Sequence, residues 1–430
     1  MKNVIETLMK EAAEFASKGA EINIVNPQSY AEEFNCKYLV VKGDRKLDLT
    51  RLDYLGLGSS SKIREIMIDC IKNYDISCPA SQMVMKSGSN VKLESVLADF
   101  HGMSESIVFT TGYTANDNII QALGLRMNTP HLAAYLYQTG MGQTTKNIPT
   151  MFFVDSDSHF SLQRGARLSK SQSKEGTCII SKFASMDYIQ LEAQLEKSKN
   201  TEAVRVIISD TLSSCSGKMF DIKKLCELAE KYDCLLYLDE AHAIGALGPQ
   251  GRGVAYEVTM MENYRARIII MGTLTKVFCQ LGGYVTMSNT FLSWFLRFCS
   301  PQYIFSAPVP PWMAETLVKM IALIKGDFGE AERQKLKDVS GYIRGELLRN
   351  GFNILDSNSH IVPIFIGDEA KSDSVKDCLE KDGFVGALFK YPATSKGNAL
   401  IRLSLCSDVT QDEASHVIES LVSARKKIGF

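Results

Sequence analysis

The sequence predicts an α/β fold in which a mostly parallel, doubly wound sheet carries most of the chain and a smaller α+β unit follows it. Three observations lead there. Between residues 104 and 287, short apolar runs of strand character alternate with stretches of helical periodicity, the pattern left by repeated crossover connections. Polar residues collect just past the C-terminal ends of those runs, where open α/β sheets bind their ligands. Beyond Gly326-Asp327 long helices give way to three strand-like runs and a closing helix, as in an α+β unit.

The opening stretch MKNVIETLMKEAAEF carries acids every few residues at helical spacing, so it reads as an amphipathic helix and not as a secretory signal. Residues 38–41 and 46–49 read as a hairpin around Gly43-Asp44 that belongs with either domain. A helix over 63–73, a polar loop over 77–90 and a helix over 91–100 follow. The strand 104–109 ends in TTGYTAN, a small-residue turn opening a helix over 115–124. Such a turn offers free N–H groups and a favourable dipole to a phosphate, and the same letters also make an ordinary turn.

From there strand and helix repeat. Residues 151–154 precede Asp155 and His159; 178–182 precede a helix over 188–197; 203–209 precede Asp210 and the loop holding Ser214. A helix over 222–232 leads to the strand 234–238 and Asp239, and 266–271 leads to GTLTK, which ends at Lys276. The fold then gathers Asp155, His159, Asp210, Ser214, Asp239, His242, Thr273 and Lys276 along one edge of the sheet. Residues 284–287, after Gly282-Gly283, form a further, antiparallel strand. Helices are expected over 312–325 and 330–350, strands over 360–366, 385–390 and 400–405, and helices over 372–381 and 411–427. The expected organisation is an N-terminal helix and hairpin over 1–60, a large cofactor-binding domain over 61–325 and a small α+β domain over 326–430.

The chain has 48 Lys and Arg against 49 Asp and Glu with no long run of either sign, so it lacks the electrostatic footprint of a nucleic-acid binder. Its eleven cysteines are scattered without a C-x-x-C pair, several inside apolar runs. They read as reduced core residues of a cytoplasmic protein, not as a disulfide frame or a metal site. No apolar run approaches the ~20 residues that span a bilayer.

The chain's chemistry centres on CLLYLDEAHAIGALGPQGRG, where a strand runs straight into Asp239 and His242. The letters DEAH also occur in nucleic-acid helicases, but those need a phosphate loop G-x-x-x-x-G-K-[ST] that this chain does not contain. A blander reading makes Asp239 a helix cap and His242 a satisfied histidine. Lys276 alone reads equally as a surface lysine. Together, a lysine in a strand-end turn, a carboxylate, two histidines, hydroxyls and a phosphate-type turn match what pyridoxal phosphate requires.

DEAHAIGALGPQGRG, GTLTK followed by Gly282-Gly283-Tyr284, TGYTAN and YIFSAPVPP together resemble the α-oxoamine synthases, fold-type-I pyridoxal-phosphate enzymes that condense an amino acid with an acyl-CoA thioester. The resemblance runs from about Leu49 to the C-terminus, with the motifs in family order and at family spacing. The stretch 383–409, GFVGALFKYPATSKGNALIRLSLCSDV, is similar to the quorum-sensing members that make α-amino and α-hydroxy ketone autoinducers.

The resemblance implies that Lys276 holds pyridoxal 5'-phosphate as a Schiff base and moves the substrate α-proton. Asp239 would pair with the pyridine nitrogen, His242 and Ser214 would lie near the ring hydroxyl, and His159 would stack on the ring. Gly112, Tyr113 and Thr273 would contact the phosphate, and Ser306 would reach the phosphate of the neighbouring subunit, which implies a homodimer with shared sites. Arg402 would pair with the substrate carboxylate, a bidentate role that suits guanidinium, and otherwise reads as a strand-edge arginine. The donor would be acyl-CoA or an acyl-carrier protein.

Several positions depart from the family. Leu52 stands where an Asn is usual, Ser185-Met186 replace a His-Asn pair, Gly88-Ser89-Asn90 replace a Gly-Thr-His run, and Ser216 replaces an acid. These lie on the substrate side, so glycine or alanine with coenzyme A is not assumed. The expected activity is decarboxylative condensation to an α-amino ketone, which the resemblance over 383–409 implies as an autoinducer precursor. The alternatives are another α-oxoamine synthase activity (of the 8-amino-7-oxononanoate synthase or 2-amino-3-ketobutyrate CoA ligase type), a fold-type-I aminotransferase or aldolase, and a non-enzymatic subunit, which the presence of Lys276 opposes. Residues 127–150 form a long connection, read as shaping acyl-donor access or as a surface insertion.

Overall fold

A computed structural model describes residues 4–21, 31, 33–35, 37–41, 43–78, 80–129, 148–391 and 393–430. Strands β1 (Glu33–Asn35), β2 (Tyr38–Val41) and β3 (Asp44–Asp48) form an antiparallel meander. The central sheet comprises β4 (Glu105–Phe109), β5 (Thr150–Asp155), β6 (Cys178–Phe183), β7 (Val204–Asp210), β8 (Cys234–Asp239), β9 (Ile268–Thr273) and β10 (Gly283–Met287), in the order β4-β10-β9-β8-β7-β5-β6. Every neighbouring pair is parallel except the two made by β10, which runs against β4 and β9 as its sequence predicts. The strand order reverses between β5 and β7, and their C-terminal ends open the crevice where such sheets hold ligands.

Side-chain alternation builds the two faces. Val206, Ile208 and Tyr237 face one way, onto Ile119, Ile120 and Leu162 of the helices Gly112–Leu125 and Phe160–Gln172. Ile207, Leu236 and Leu238 face the other way, onto Leu191, Leu195, Leu225 and Leu228 of the helices Tyr188–Ser198 and Ile222–Lys231. Burial on both faces explains why these strands read as continuous apolar runs. Only at their ends does a polar side chain find room.

The tail forms β11 (Ile361–Gly367), β12 (Phe384–Val385), β13 (Ala387–Phe389) and β14 (Ala399–Ser404), with helices Glu369–Lys381 and Gln411–Ile428. The strand expected over 385–390 is two. β12 pairs in parallel with β3, whereas β13 pairs with β14. The break falls at Gly386, where a β-carbon would stand 2.6 Å from Cγ2 of Ile401. Through the β3–β12 pair the early hairpin shares a sheet with the tail, and Leu47 and Leu49 share a core with Val362 and Ile401.

Helix starts also differ from the sequence reading. The helix expected from residue 91 begins at Gly88, because the Ser87 side chain accepts from the Asn90 N–H. The helix expected from residue 115 begins at Gly112, because Thr111 caps it by accepting from the Thr114 N–H at 3.0 Å. On the first helix, Val4–Glu21, the side chains of Ile5, Leu8, Met9 and Phe15 are exposed. Most of the connection over 127–150 lies outside the described residues. Among the described residues no helix is long and apolar enough to cross a membrane.

Candidate active site

Strands β5, β7, β8 and β9 deliver their end residues to one cavity of about 300 Å³, walled also by the turn at Gly112. Of the residues predicted from sequence, Gly112, Tyr113, His159, Ser214, Asp239, His242, Thr273 and Lys276 line it. Ser306 and Arg402 do not. Ser306 follows the short helix Pro301–Phe305, outside the cavity of its own chain. Arg402 lies on β14 and reaches the rim, donating from Nη1 to the carbonyl of Ser214 at 3.0 Å.

Asp239 ends β8 and is 4% exposed. Its Oδ1 accepts from the Ala241 N–H at 2.9 Å, and its Oδ2 accepts from Nδ2 of Asn116 at 2.8 Å. Asn116 is itself fixed, accepting from the Tyr237 hydroxyl at 2.9 Å and donating to Oγ of Ser161, also at 2.9 Å. The carboxylate therefore has one orientation. It stands at the cavity floor as an acceptor with a defined direction.

Lys276 sits half-buried in the turn after β9, and this turn is tied by the Leu274 N–H to the carbonyl of Gly282 at 2.9 Å. Burial, partly opposed by the nearby carboxylates of Asp239 and Asp210, pulls its ammonium down to about 8. A lysine so placed is neutral in a useful fraction near neutrality. Asp210, at the end of β7, is pushed well above the usual carboxylate range by burial and by the charges of Asp239 and Asp155. It accepts from the His159 N–H at 3.1 Å, joining the two strand ends that flank the crevice.

The two histidines are held from behind. Nδ1 of His159 lies 2.7 Å from Oγ of Ser161, which leaves the ring standing in the cavity edge-on to Tyr113, at 6.4 Å between centroids and 84° between planes. Nδ1 of His242 lies 2.6 Å from the hydroxyl of the fully buried Tyr54. Burial and the neighbouring cation of Lys276 push His242 well below the ordinary histidine range, so its ring is neutral.

At the other end of the cavity the helix Gly112–Leu125 presents its N-terminus. A β-carbon on Gly112 would sit 3.1 Å from Cβ of Thr273, and one on Gly283 would sit 2.3 Å from the Gly112 nitrogen. The close approach of β10 to the helix thus requires Gly283, whereas at Gly112 the contact is tight and the Thr273 side chain would have to shift. The result is a cradle of backbone N–H groups and the Thr273 and Thr275 hydroxyls, which suits a phosphate. With an oriented carboxylate, a lysine and the His159 ring lining the same cavity, the donor set fits a phosphorylated pyridine aldehyde. Asn116 and Tyr54 had no assigned role in the sequence reading, although Asn116 is the last letter of the TGYTAN motif.

A sequence model of the family described as aminotransferase class I and II matches residues 44–421. The 5-aminolevulinate synthase of Bradyrhizobium diazoefficiens is 30% identical over 383 residues, 88% of this chain and 85% of that protein. The serine palmitoyltransferase of Bacteriovorax stolpii is 27% identical over 399 residues, 92% of this chain and 86% of that protein. A solved structure described as SPT with PLP shares the fold at a TM-score of 0.82 and 22% identity, covering 97% of this chain and 98% of its own.

Proposed function

The chain belongs to the aminotransferase class I and II family and within it to the α-oxoamine synthases, acyltransferases whose cofactor is pyridoxal 5'-phosphate; from that premise we propose that it joins an amino acid to an acyl thioester with loss of carbon dioxide. The observation that supports this reading best is the convergence of an oriented Asp239, a neutralisable Lys276 and the Gly112 turn on one cavity.

Bound there, the cofactor supplies an electron sink next to the substrate amine. Asp239, kept aimed by Asn116, would meet the pyridine nitrogen and keep it protonated. Lys276 would hold the cofactor, and its amine would move the proton of the substrate α-carbon. His159 would cover the ring, and His242 with Ser214 would meet the ring hydroxyl. Gly112, Tyr113 and Thr273 would hold the phosphate, with Ser306 of a second chain completing the cradle in a homodimer. Arg402 binds the substrate carboxylate, turning its Nε, which is buried without a partner among the described residues, toward that anion.

In the overall step a bond forms between the α-carbon and the thioester carbonyl carbon, and the carbon–sulfur bond breaks to release the thiol. The bond from the α-carbon to the carboxylate breaks to release carbon dioxide, and the α-carbon takes up a proton. The product is an α-amino ketone. The donor is a thioester of coenzyme A or of a carrier protein, and the likeness over 383–409 supports an autoinducer precursor as product. The reduced, scattered cysteines support a cytoplasmic setting.

A spectroscopic screen tests the reading. The visible band of the bound cofactor is followed with each protein amino acid, with and without acyl thioesters of graded length. Perturbation by a small set of amino acids, with turnover only when thioester is added, is expected. Turnover with a keto acid and no thioester would overturn it.

A further inference from the structure

A second cavity, of about 320 Å³, lies between the helix Asp327–Arg349, the loop 246–248 and the segment 358–360. Glu330, Arg333, Lys337, Ser340 and Arg344 fall at spacings of three and four along one face of that helix, and all five line the cavity.

Their charges are not balanced. Arg333 is used up in the wall, donating from Nη1 to the carbonyl of Ile324 at 2.9 Å and from Nη2 to the carboxylate of Glu330 at 2.8 Å. Glu330 is the one acidic side chain of the lining, and that pairing neutralises it. Lys337 and Arg344 make no ion pair among the described residues, and Arg344 spends one N–H on the carbonyl of Ser359. Asn358 accepts from the Met219 N–H through Oδ1, which leaves its amide N–H groups to donate. His360, 2% exposed, also lines the cavity; its ring nitrogens are buried, and the ring interacts with the backbone of His242.

Two uncompensated cations on a concave wall, Arg344 half-buried and Lys337 exposed, concentrate an anion there, and the guanidinium fork favours carboxylate or phosphate. The volume corresponds to roughly ten waters at about 30 Å³ each, more than an inorganic anion fills. The back wall connects to the first site. The His360 ring lies 4.1 Å from the Tyr54 ring between centroids, and the Tyr54 hydroxyl holds His242 at 2.6 Å.

We propose that this second cavity binds a small organic dianion through Lys337, Arg344 and Asn358, and that occupancy is transmitted through His360 and Tyr54 to His242. A dianion held by Asn358 and by Arg344, which also donates to the carbonyl of Ser359, restrains the chain on both sides of His360 and so its ring. The Tyr54 ring packed on it, and with it the bond to His242, then loses freedom to move.

The test is calorimetric titration of the cofactor-loaded protein with succinate, glycerol phosphate and inorganic phosphate, repeated with Lys337→Gln, Arg344→Gln and His360→Phe. At least one organic dianion is expected to bind at one per chain and to shift the visible band of the bound cofactor. Lys337→Gln, an exposed position whose change leaves the fold intact, should weaken that binding by about tenfold or more, as should Arg344→Gln. His360→Phe should keep a bound dianion yet lose the spectral shift. No binding by either organic dianion, equal binding in wild type and Lys337→Gln, or binding of inorganic phosphate alone would overturn the site. Binding without any spectral shift would overturn the transmission to His242.

Discussion

The side-chain amide of Asn116 donates to Oδ2 of Asp239 across 2.8 Å, joining the second turn of one helix to the end of a strand 123 residues further along the chain. Because Tyr237 and Ser161 hold the same amide in place, the carboxylate cannot turn without breaking a buried network. Replacing Asn116 with Ala removes a bond to a charged group, worth about 1.5–3 kcal/mol. Turnover should fall by about ten- to a hundredfold and cofactor should dissociate more readily, read from steady-state rates and from cofactor retained on dialysis.

Tyr54→Phe deletes only the hydroxyl that meets His242 at 2.6 Å. The ring still fills its buried site, so the melting temperature should change little while kcat drops by about tenfold, the range of one lost buried hydrogen bond. Equal losses in stability and rate would assign Tyr54 to the core instead.

The pH dependence of cofactor capture follows from Lys276. Its ammonium, lowered by burial from 10.5 to about 8, must lose a proton before the amine can attack an aldehyde. Protein stripped of cofactor should therefore recapture it faster as pH rises through about 8, with the rate levelling above that value. A midpoint near the ordinary lysine value would contradict this placement, and stopped-flow absorbance would show which holds.

Gly283→Ala places a β-carbon 2.3 Å from the Gly112 nitrogen, where backbone and not a flexible side chain must yield. A loss of about 1–3 kcal/mol is expected from overpacking. Because the displaced atoms belong to the turn proposed to hold the phosphate, cofactor affinity should fall along with the melting temperature, whereas Gly88→Ala, with open space at its β-carbon, should affect neither.

Mixed dimers test the sharing of sites. A chain carrying Lys276→Ala, paired with a chain carrying Ser306→Ala, leaves one composite site with both groups lost and the other with both intact. Activity near half that of the wild-type dimer is expected. Activity near half that of the Ser306→Ala homodimer would place Ser306 outside the partner's cradle.

Much of this site could be read from sequence because parallel strands buried on both faces leave polar residues conspicuous at their ends. Asp239 after CLLYL, Asp210 after VIIS and Thr273 after IIIMG stand out for that reason. The glycine turn before residue 113 was legible as a phosphate cradle, but the need for Gly283 was not, since it depends on a strand from a distant stretch passing beneath. Asn116 and Tyr54 escaped because their partners lie 123 and 188 residues away, and nothing local marks a buried amide or phenol as a support. The split of 384–389 at Gly386 was hidden by unbroken strand character on both sides. Ser87-Gly88 looked like a turn because the capping serine and the helical glycine carry the same letters as one.

The most direct test of the account measures thiol and carbon dioxide together. Cofactor-loaded protein is given the amino acid selected by the screen and its preferred acyl thioester, and both products are followed in one reaction. Release of the two in a one-to-one ratio, dependent on both substrates and abolished in Lys276→Ala, is the predicted result. Consumption of the amino acid without thiol release, or full turnover in Lys276→Ala, would contradict it.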